Sequence, residues 1–335
     1  MIKDLVKQLT AKKDLTDLQM TQVMREILSG TAETADIIAF LTSLNNKGET
    51  VVELIAAVNV MRRYVEPIVI DQPNILDTCG TGGDKKGTFN ISTISALVAS
   101  GAGVTVAKHG NRSVSSQCGS ADILEALGVK IDMSAEKIKL CLENIGIAFL
   151  FAPNLHLAMR QVMPARKQIA QKTIFNLLGP LINPAQATNQ IIGVYSRKWV
   201  RPLAEVLHNL GSKHVLVVHG ADGLDEVTTT DKTFITEVKE GLLKDYEIVP
   251  EDFGFRRANL NDLTGGSIGD NLRIAQDILA GKSGYPREIV LLNAGCAIYA
   301  ADKTETIAQG IRLAQESIDS QAALNKLNQL REYSQ

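Results

Sequence analysis

The residues best suited to chemistry form two polar stretches, and each follows a short apolar run. The first stretch, residues 77–84, carries glycine at three of the four positions from 80 to 83. Glycine adopts positive φ without strain and lets the backbone approach a ligand, and successive N–H groups then form an anion-binding nest. This loop therefore predicts a site for an anion such as phosphate.

A helix N-terminus and a second loop extend this prediction. Asn90, Ile91, Ser92 and Thr93 stand just before the apolar run 94–98, which predicts a helix. Free N–H groups and the helix dipole favour a phosphate at such a terminus. A short strand predicted at 104–107 then leads into a polar stretch made of Lys108, His109, Gly110, Asn111, Arg112, Ser113, Ser115, Ser116 and, slightly later, Ser120. The two transitions from strand to loop indicate one bipartite phosphate site.

Two adjacent carboxylates, Asp225 and Glu226, follow the apolar run 215–218. Exposed loop acids are common, so the pair alone is weak evidence of a site. Beside a phosphate, however, carboxylates, water and phosphate oxygens together suit Mg²⁺. The pair therefore predicts a magnesium site, to which Ser92 could add a hydroxyl ligand.

Arg166 lies in a proline-interrupted segment, residues 152–190, that breaks the alternation of strands and helices. Such a segment often crosses between domains and lines the cleft there. A solvated helix cation is the simpler interpretation of Arg166, but a guanidinium also binds a carboxylate through two parallel hydrogen bonds. The remaining histidines at 156, 208, 214 and 219 show no ligand spacing.

Several familiar kinds of active site are missing from the sequence. It has no Walker A pattern, no GxGxxG, no zinc motif, and no obvious Ser-His-Asp set or general base. Transfer at an anomeric carbon with pyrophosphate as leaving group needs positioning and charge stabilisation more than a protein nucleophile. The pattern therefore favours a phosphate-handling enzyme.

The composition narrows the class of protein further. With 35 basic and 37 acidic residues the net charge is −2, which argues against a general nucleic-acid binder. No run approaches the roughly 18 apolar residues of a membrane span, and the first residues lack the apolar core of a signal peptide. The four cysteines show no CxxC spacing, so reduced thiols in the cytoplasm are the expectation.

The pattern of apolar residues changes once along the chain. Residues 1–64 show only helical spacing, with Gly48 as a stop and Thr50 as a cap, and predict four helices that need a packing partner such as a second subunit. From 73 onward short β-branched runs alternate with helical periods, which is the α/β signature. Strands are predicted at 75–77, 104–107, 147–151, 191–195, 215–219, 234–235 and 247–249. The tail at 267–330 is predicted to be helical, interrupted by Gly281 and Pro286.

In five ordered motifs the chain resembles the anthranilate phosphoribosyltransferase family. The matching stretches are 77–84 with 88–93, 108–116 with 119–122, 172–181, 183–185, and 223–226. Two positions depart from the family pattern: Lys172 stands where arginine is usual, and Ser267 where an acid is expected.

The resemblance implies a fold, a reaction and a set of site residues. The fold is α/β, with a small N-terminal helical domain (1–70, joined by part of 155–190) and a larger α/β domain with a mixed central sheet (71–335), as in nucleoside phosphorylases. The reaction transfers 5-phosphoribosyl from 5-phosphoribosyl 1-diphosphate (PRPP) to the amine of anthranilate, the second step from chorismate to tryptophan, in a cytoplasmic homodimer joined through the helical domains. PRPP would contact Gly80, Gly83, Asp84, Thr88, Asn90, Ile91, Ser92, Thr93, Lys108, His109, Gly110, Asn111, Arg112, Ser113, Val114, Ser115, Ser116 and Ser120. Anthranilate would contact Gly80, Asn111 and Arg166, and Mg²⁺ would bind Ser92, Asp225 and Glu226, with Lys108 and the metal stabilising the leaving group.

Two other functions remain to be weighed. A pyrimidine nucleoside phosphorylase shares this fold, but its second loop is not expected to read Lys-His-Gly-Asn-Arg-Ser. A non-catalytic, nucleic-acid-binding relative would need basic surface stripes and could dispense with Asp225 and Glu226. A gel-shift assay at physiological salt separates that binding module from the enzyme.

Overall fold

Four helices fill the first 62 residues of the computed structural model, which describes residues 1–112, 117–169 and 171–335. They are α1 (Ile2–Thr10), α2 (Asp17–Leu28), α3 (Thr34–Lys47) and α4 (Val51–Arg62). Gly48 ends α3 with φ +93°. The Thr50 side chain accepts from the Glu53 N–H, and the Glu53 carboxylate accepts from the Thr50 N–H at 2.8 Å, which forms a capping box at the start of α4. The structure thus confirms the predicted helix end at Gly48 and the predicted helix cap at Thr50.

A mixed sheet forms the centre of the rest of the chain. Its strands among the described residues are β1 (Leu76–Asp77), β2 (Val106–Gly110), β3 (Ile147–Phe151), β4 (Asn189–Gly193), β5 (His214–Gly220), β6 (Thr233–Lys239) and β7 (Leu242–Ile248). The strand order is β3-β2-β1-β4-β5-β6-β7. The first five strands are parallel, and β6 and β7 are antiparallel to their neighbours.

Helices cover both faces of the sheet. They are α5 (Ile91–Gly101), α6 (Ser120–Ala126), α7 (Ala135–Ile145), α8 (Ala152–Leu155), α9 (Met163–Gln168), α10 (Ile174–Leu178), α11 (Val200–Asn209), α12 (Ile268–Leu279), α13 (Tyr285–Ala300), α14 (Ile307–Asp319) and α15 (Ala322–Ser334). None of the helices in the described part of the chain combines the length and apolarity that crossing a membrane requires.

The N-terminal helices share a core with one face of the sheet. Because side chains alternate along a strand, Val215 and Val217 of β5 belong to the cluster that holds α1–α4 and α11, whereas Leu216 and Val218 belong to the cluster of α5 and α13. Helix α11 packs on both α4 and β5. The sheet is therefore buried on both faces, as its continuous apolar strands require.

Several boundaries differ from the sequence predictions. The strands predicted at 234–235 and 247–249 are both longer in the structure, as β6 and β7, because the two strands pair with each other over seven positions. Strand β2 starts two residues later than predicted and runs to Gly110, because five of its residues pair with β3. Lys108 and His109 therefore lie in a strand and not in a loop. Pro286 does not interrupt a helix but sits in the first turn of α13, where its missing N–H leaves no hydrogen bond unmade. Strand β4 begins at Asn189, where the prediction placed its start at Ile191.

Candidate active site

The predicted phosphate and metal loops meet at one edge of the sheet. From β1 the chain continues to β2 on one side, whereas β4 pairs with the other side of β1. Ligands of open α/β sheets bind in the crevice beyond the carboxyl ends of the strands at such a reversal of strand order. The glycine loop 80–84 follows β1 and the Asp225-Glu226 loop follows β5, so both lie at this edge.

The glycines of the first loop are required for different physical reasons. Gly82 and Gly83 adopt φ +63° and +83°, as the sequence predicts. Gly80 has no positive φ; a Cβ atom there would lie 2.8 Å from the Gly193 carbonyl oxygen at the end of β4. The Thr81 N–H also donates to that oxygen at 2.8 Å. The expectation of positive φ thus holds for two glycines, while Gly80 is required by close backbone packing.

Three carboxylates gather between the two loops. The Asp225 N–H donates to Asp84 Oδ2 at 3.4 Å. Burial, followed by the charges of Asp84 and Glu226, raises the pKa of Asp225 well above its usual range. Burial raises the pKa of Glu226 to about 7, although Lys108 and hydrogen bonds from the Ser92 N–H and hydroxyl oppose that shift. These hard oxygen donors repel one another, and a divalent cation such as Mg²⁺ would relieve that repulsion, so the residues present fit the ion.

Lys108 connects the end of β1 to the first turn of α5. It lies in β2 with 4% of its surface exposed. Its ammonium donates to Thr78 Oγ1 at 3.1 Å and to Ser92 Oγ at 3.4 Å, and its charge acts on Glu226. A buried ammonium held this way is a fixed positive charge at the carboxyl end of the sheet, where an anion would be stabilised.

The N-terminus of α5 faces the same edge. Asn90 is the N-cap residue, and its Nδ2 donates to the Cys118 carbonyl at 3.0 Å. Its Oδ1 is buried and has no hydrogen-bond partner in the part of the chain that the structure describes. Ile91 and Thr93 are buried, and Thr88 forms an isolated bridge with Thr264. The orphaned acceptor of Asn90 is a place for a ligand hydroxyl, since buried polar atoms rarely stay unpaired.

His109 is engaged inside the protein. Its Nδ1 lies 3.2 Å from the Gly179 carbonyl oxygen, and its Nε2 lies 2.9 Å from Nε2 of His156. Burial lowers the pKa of His109 to about 3 and that of His156 to about 4, so both rings are neutral. The pair joins β2 to the crossing segment.

Asp77, Cys79 and His109 place potential metal-binding atoms within 4.8 Å of one another. The Asp77 carboxylate, however, already accepts from the N–H of His109, the N–H of Cys79 and Nδ2 of Asn183, at 3.1, 3.0 and 2.8 Å. Burial also raises the pKa of the Cys79 thiol, which disfavours a thiolate ligand. We therefore interpret this group as structural.

The second polar stretch is only partly described. Ser113, Val114, Ser115 and Ser116 lie outside the described residues. Arg112 pairs with Asp122 and Glu125 of α6, and Ser120 Oγ donates to the Asn111 carbonyl at 3.1 Å. A Cβ atom at Gly110 would overlap Ser120 Oγ, so α6 starts directly against the end of β2.

Arg166 sits in α9, and its guanidinium carbon is 5.9 Å from the centre of the Phe175 ring. Burial lowers the pKa of Arg166. Within the described ranges its side chain makes no hydrogen bond or ion pair. A partly buried cation without a protein anion suits a carboxylate ligand, which would restore the charge balance lost on burial.

Sequence reasoning missed two contacts at this edge. Asp84, predicted only as a PRPP contact, lies against the metal loop at Asp225. Lys172, noted only as a departure from the family pattern, donates to the Gly83 carbonyl at 2.7 Å. No local sequence pattern indicates either contact, because each contact joins residues that are far apart in the chain.

A cavity of about 710 Å³ lies at the opposite end of the sheet, near the start of β5. It contains none of the predicted site residues. Its buried His214 is already bonded on both ring nitrogens, to Asp302 at 2.6 Å and to Glu237 at 2.9 Å. This cavity is therefore not the candidate active site.

Known proteins of this architecture share both parts of the chain. Residues 3–65 match the glycosyl transferase family helical bundle domain, and residues 72–324 match the glycosyl transferase family a/b domain. Anthranilate phosphoribosyltransferase of Symbiobacterium thermophilum is 47% identical over 332 residues, which cover 99% of this chain and 97% of the relative.

Solved structures agree with this similarity. The enzyme of the same name from Thermus thermophilus is 40% identical with a TM-score of 0.93, and the match covers 98% of each chain. That of Saccharomyces cerevisiae, in complex with PRPP and Mg, is 27% identical with a TM-score of 0.90, and the match covers 99% of this chain and 97% of that one. The fold and the site thus define a glycosyl transferase with a helical bundle domain and an α/β domain. Within that class, the chain belongs to the anthranilate phosphoribosyltransferase family.

Proposed function

We propose that this chain transfers the 5-phosphoribosyl group of PRPP to the amine of anthranilate, giving N-(5-phosphoribosyl)anthranilate and pyrophosphate in tryptophan biosynthesis. One observation carries the proposal. Asp84, Asp225, Glu226 and Lys108 lie together beside the glycine loop, at the edge of the sheet where the strand order reverses. A carboxylate set of this kind suits a metal-bound diphosphate. Arg166 supplies the charge that an acceptor carboxylate needs.

PRPP binds across the carboxyl ends of β1 and β2. The N–H groups of the glycine loop and of the first turn of α5 hold its phosphate oxygens, with Gly80, Gly83, Asp84, Thr88, Asn90, Ile91, Ser92 and Thr93 as the contacts on this side. Residues 108–112 and Ser120 provide the contacts on the other side, and Ser113, Val114, Ser115 and Ser116, proposed as further contacts, lie outside the described residues. Asn90 Oδ1, which is buried and has no hydrogen-bond partner among the described residues, accepts from a ribose hydroxyl.

Ser92, Asp225 and Glu226 would hold Mg²⁺ together with the diphosphate, and Asp84 accepts a hydrogen bond from the Asp225 N–H beside them. When bound, Mg²⁺ neutralises charge on the departing pyrophosphate. The Asp225 and Glu226 carboxylates and the Ser92 hydroxyl are oxygen ligands of the kind that Mg²⁺ binds together with phosphate oxygens.

Anthranilate binds with its carboxylate on Arg166, while Gly80 and Asn111 contact the acceptor beside the ribose. Phe175, which is buried beside the guanidinium, packs against Arg166 and helps to hold it in place. The protein thus fixes the amine near ribose C1 by binding the carboxylate on the adjacent carbon of the ring.

The reaction breaks the bond between C1 and the pyrophosphate oxygen and forms the bond between C1 and the amine nitrogen. The transition state is oxocarbenium-like. Lys108 and the loop N–H groups stabilise the oxygen that leaves with the bonding electrons. The aniline nitrogen is neutral at pH 7 and brings its own electron pair, and it releases one proton after the bond forms. Alignment therefore supplies most of the catalysis, with no general base from the protein.

The domain division, assembly and location complete the proposal. Residues 1–70 with part of 155–190 form the helical domain, and 71–335 form the α/β domain; Ala165 and Phe175 of the crossing segment share the core of α1–α4.

Leu18 and Val52 leave 65% and 52% of their surface exposed on α2 and α4, which suits a homodimer joined through the helical domains. The cytoplasm is the proposed location, because a charged diphosphate substrate does not cross membranes unaided.

The decisive experiment follows the fluorescence of anthranilate with PRPP and Mg²⁺ present and with each omitted in turn. Loss of signal only in the complete mixture supports the proposed reaction. No loss in any mixture, from folded protein, refutes it and directs attention to the binding-module alternative, for which the gel shift at physiological salt is the next measurement.

A further inference from the structure

Lys172 holds the glycine loop from the side of the crossing segment. Its ammonium donates to the Gly83 carbonyl oxygen at 2.7 Å and lies 3.4 Å from the centre of the Tyr195 ring. A Cβ atom at Gly83 would lie 3.2 Å from the Lys172 Cε, so the lysine packs closely on that peptide. The ammonium is thus fixed by two partners from different parts of the chain.

We propose that Lys172 is a positioning residue for the diphosphate: it fixes the Gly83–Asp84 peptide in the orientation that binds the anion. The proposal rests on the proposed function. The peptide is planar and trans, so holding the Gly83 carbonyl also fixes the direction of the Asp84 N–H. The charge of Lys172 also acts on Asp84 and Asp225, which steadies the carboxylates beside that peptide.

The loop is held at a second point that does not involve Lys172. Thr81 Oγ1 accepts from the Tyr195 N–H at 3.0 Å, and the Thr81 N–H donates to the Gly193 carbonyl at 2.8 Å. This first half of the loop is therefore tied to the rigid end of β4. The second half, with Gly83 and Asp84, is held by the short hydrogen bond from Lys172 and by the longer one, at 3.4 Å, from the Asp225 N–H to Asp84 Oδ2. Removing that lysine should loosen one half of the loop without releasing the other.

The contact also connects the two substrates. Lys172 belongs to the same crossing segment as Arg166, the proposed anthranilate contact, and reaches the loop proposed to hold the diphosphate. Loss of Lys172 should therefore weaken diphosphate binding first. Anthranilate binding should change much less, because Arg166 and Phe175 remain in place.

The test measures binding of magnesium pyrophosphate by isothermal titration calorimetry, with steady-state kinetics beside it. In Lys172→Met we expect the pyrophosphate Kd and the KM for PRPP to rise about tenfold, as expected for loss of a charged hydrogen bond. The KM for anthranilate should change less than about twofold. Lys172→Arg keeps the charge, the donor and the stacking on Tyr195, and should restore binding to within about threefold of the original chain.

The matched control is Lys167→Met, which removes an exposed lysine from α9 of the same segment and should leave both constants unchanged. Unaltered pyrophosphate binding in Lys172→Met, an equal loss in Lys167→Met, or no rescue by arginine would each overturn the proposal. If Lys172→Met fails to fold, Tyr195→Leu, which removes only the ring beneath the ammonium, should show the same selective loss. A chain that binds pyrophosphate through Lys172 but never consumes anthranilate would refute the proposed reaction and leave this inference standing.

Discussion

The backbone of Gly193 lies so close to Asp225 that a Cβ atom on Gly193 would overlap the Asp225 carbonyl oxygen. A Cβ atom on Gly80 would in turn lie 2.8 Å from the Gly193 carbonyl oxygen. The end of β4 is therefore a spacer between the glycine loop and the metal loop. The distance between the two loops, and hence the geometry of the proposed site, depends on this glycine.

Gly193→Ala should displace the Asp225 loop. We expect activity to fall by about 100-fold, because small displacements of a positioned group cost this much, and the free energy of unfolding to fall by about 3 kcal/mol from overpacking. Steady-state kinetics and urea unfolding measure the two effects. Gly269→Ala, inside α12 with only one contact at 3.7 Å, is the control and should be neutral or slightly stabilising. Full activity in Gly193→Ala would contradict the spacer role.

Removing both charges of the metal loop should abolish the effect of Mg²⁺ on stability. In Asp225→Asn with Glu226→Gln we expect turnover to drop by about 100-fold or more, since the metal ligands are lost. In EDTA the variant should melt at a higher temperature than the original chain, because the raised pKa values show that the ionised carboxylates destabilise the fold. Differential scanning calorimetry with and without Mg²⁺ tests this. The control is Glu240→Gln, which changes an exposed residue at the β6–β7 turn and should keep the stabilisation by Mg²⁺. If Mg²⁺ also stabilises the double variant, the metal site is not at Asp225 and Glu226.

Arg166→Ala should separate the two substrates kinetically. Loss of a charged hydrogen-bonding partner predicts a rise of about 10- to 100-fold in the KM for anthranilate. The KM for PRPP should change little, because the phosphate loops are untouched. Arg160→Ala, an exposed arginine just before α9, serves as the control. Equal losses for both substrates would argue that Arg166 maintains the cleft and does not bind the acceptor.

His156 should make the protein sensitive to acid. Its pKa is lowered to about 4 by burial, so the unfolded chain binds a proton at pH 5 that the folded chain does not. Stability therefore falls as the pH drops from 7 towards 4, and this histidine alone accounts for about 2 kcal/mol at pH 5. His156→Gln keeps a donor for His109 and should reduce the pH dependence of urea unfolding, while the part due to His109, whose pKa is also lowered, remains. His208→Gln on α11 should leave it unchanged, and identical curves for the His156 variant would disprove the assignment.

Much of the local structure could be predicted from the sequence because its causes are local. Thr50 caps α4, Gly48 ends α3, and Gly82 and Gly83 turn with positive φ, and each of these depends on a few neighbouring residues. The predicted strand at 147–151 is found with the same bounds, since its apolar run is sharply delimited. The order of the motifs was also sufficient to indicate the family.

The tertiary structure decided which of these groups act together. Gly80 is needed because β4 lies beside β1, and β2 extends to Gly110 because β3 pairs with it. Lys172 reaches Gly83 across 89 positions of sequence, and Asp84 reaches Asp225 across 141. The types of residue and their local turns follow from short-range propensity, whereas burial, charge repulsion and close backbone contact arise only when distant segments pack.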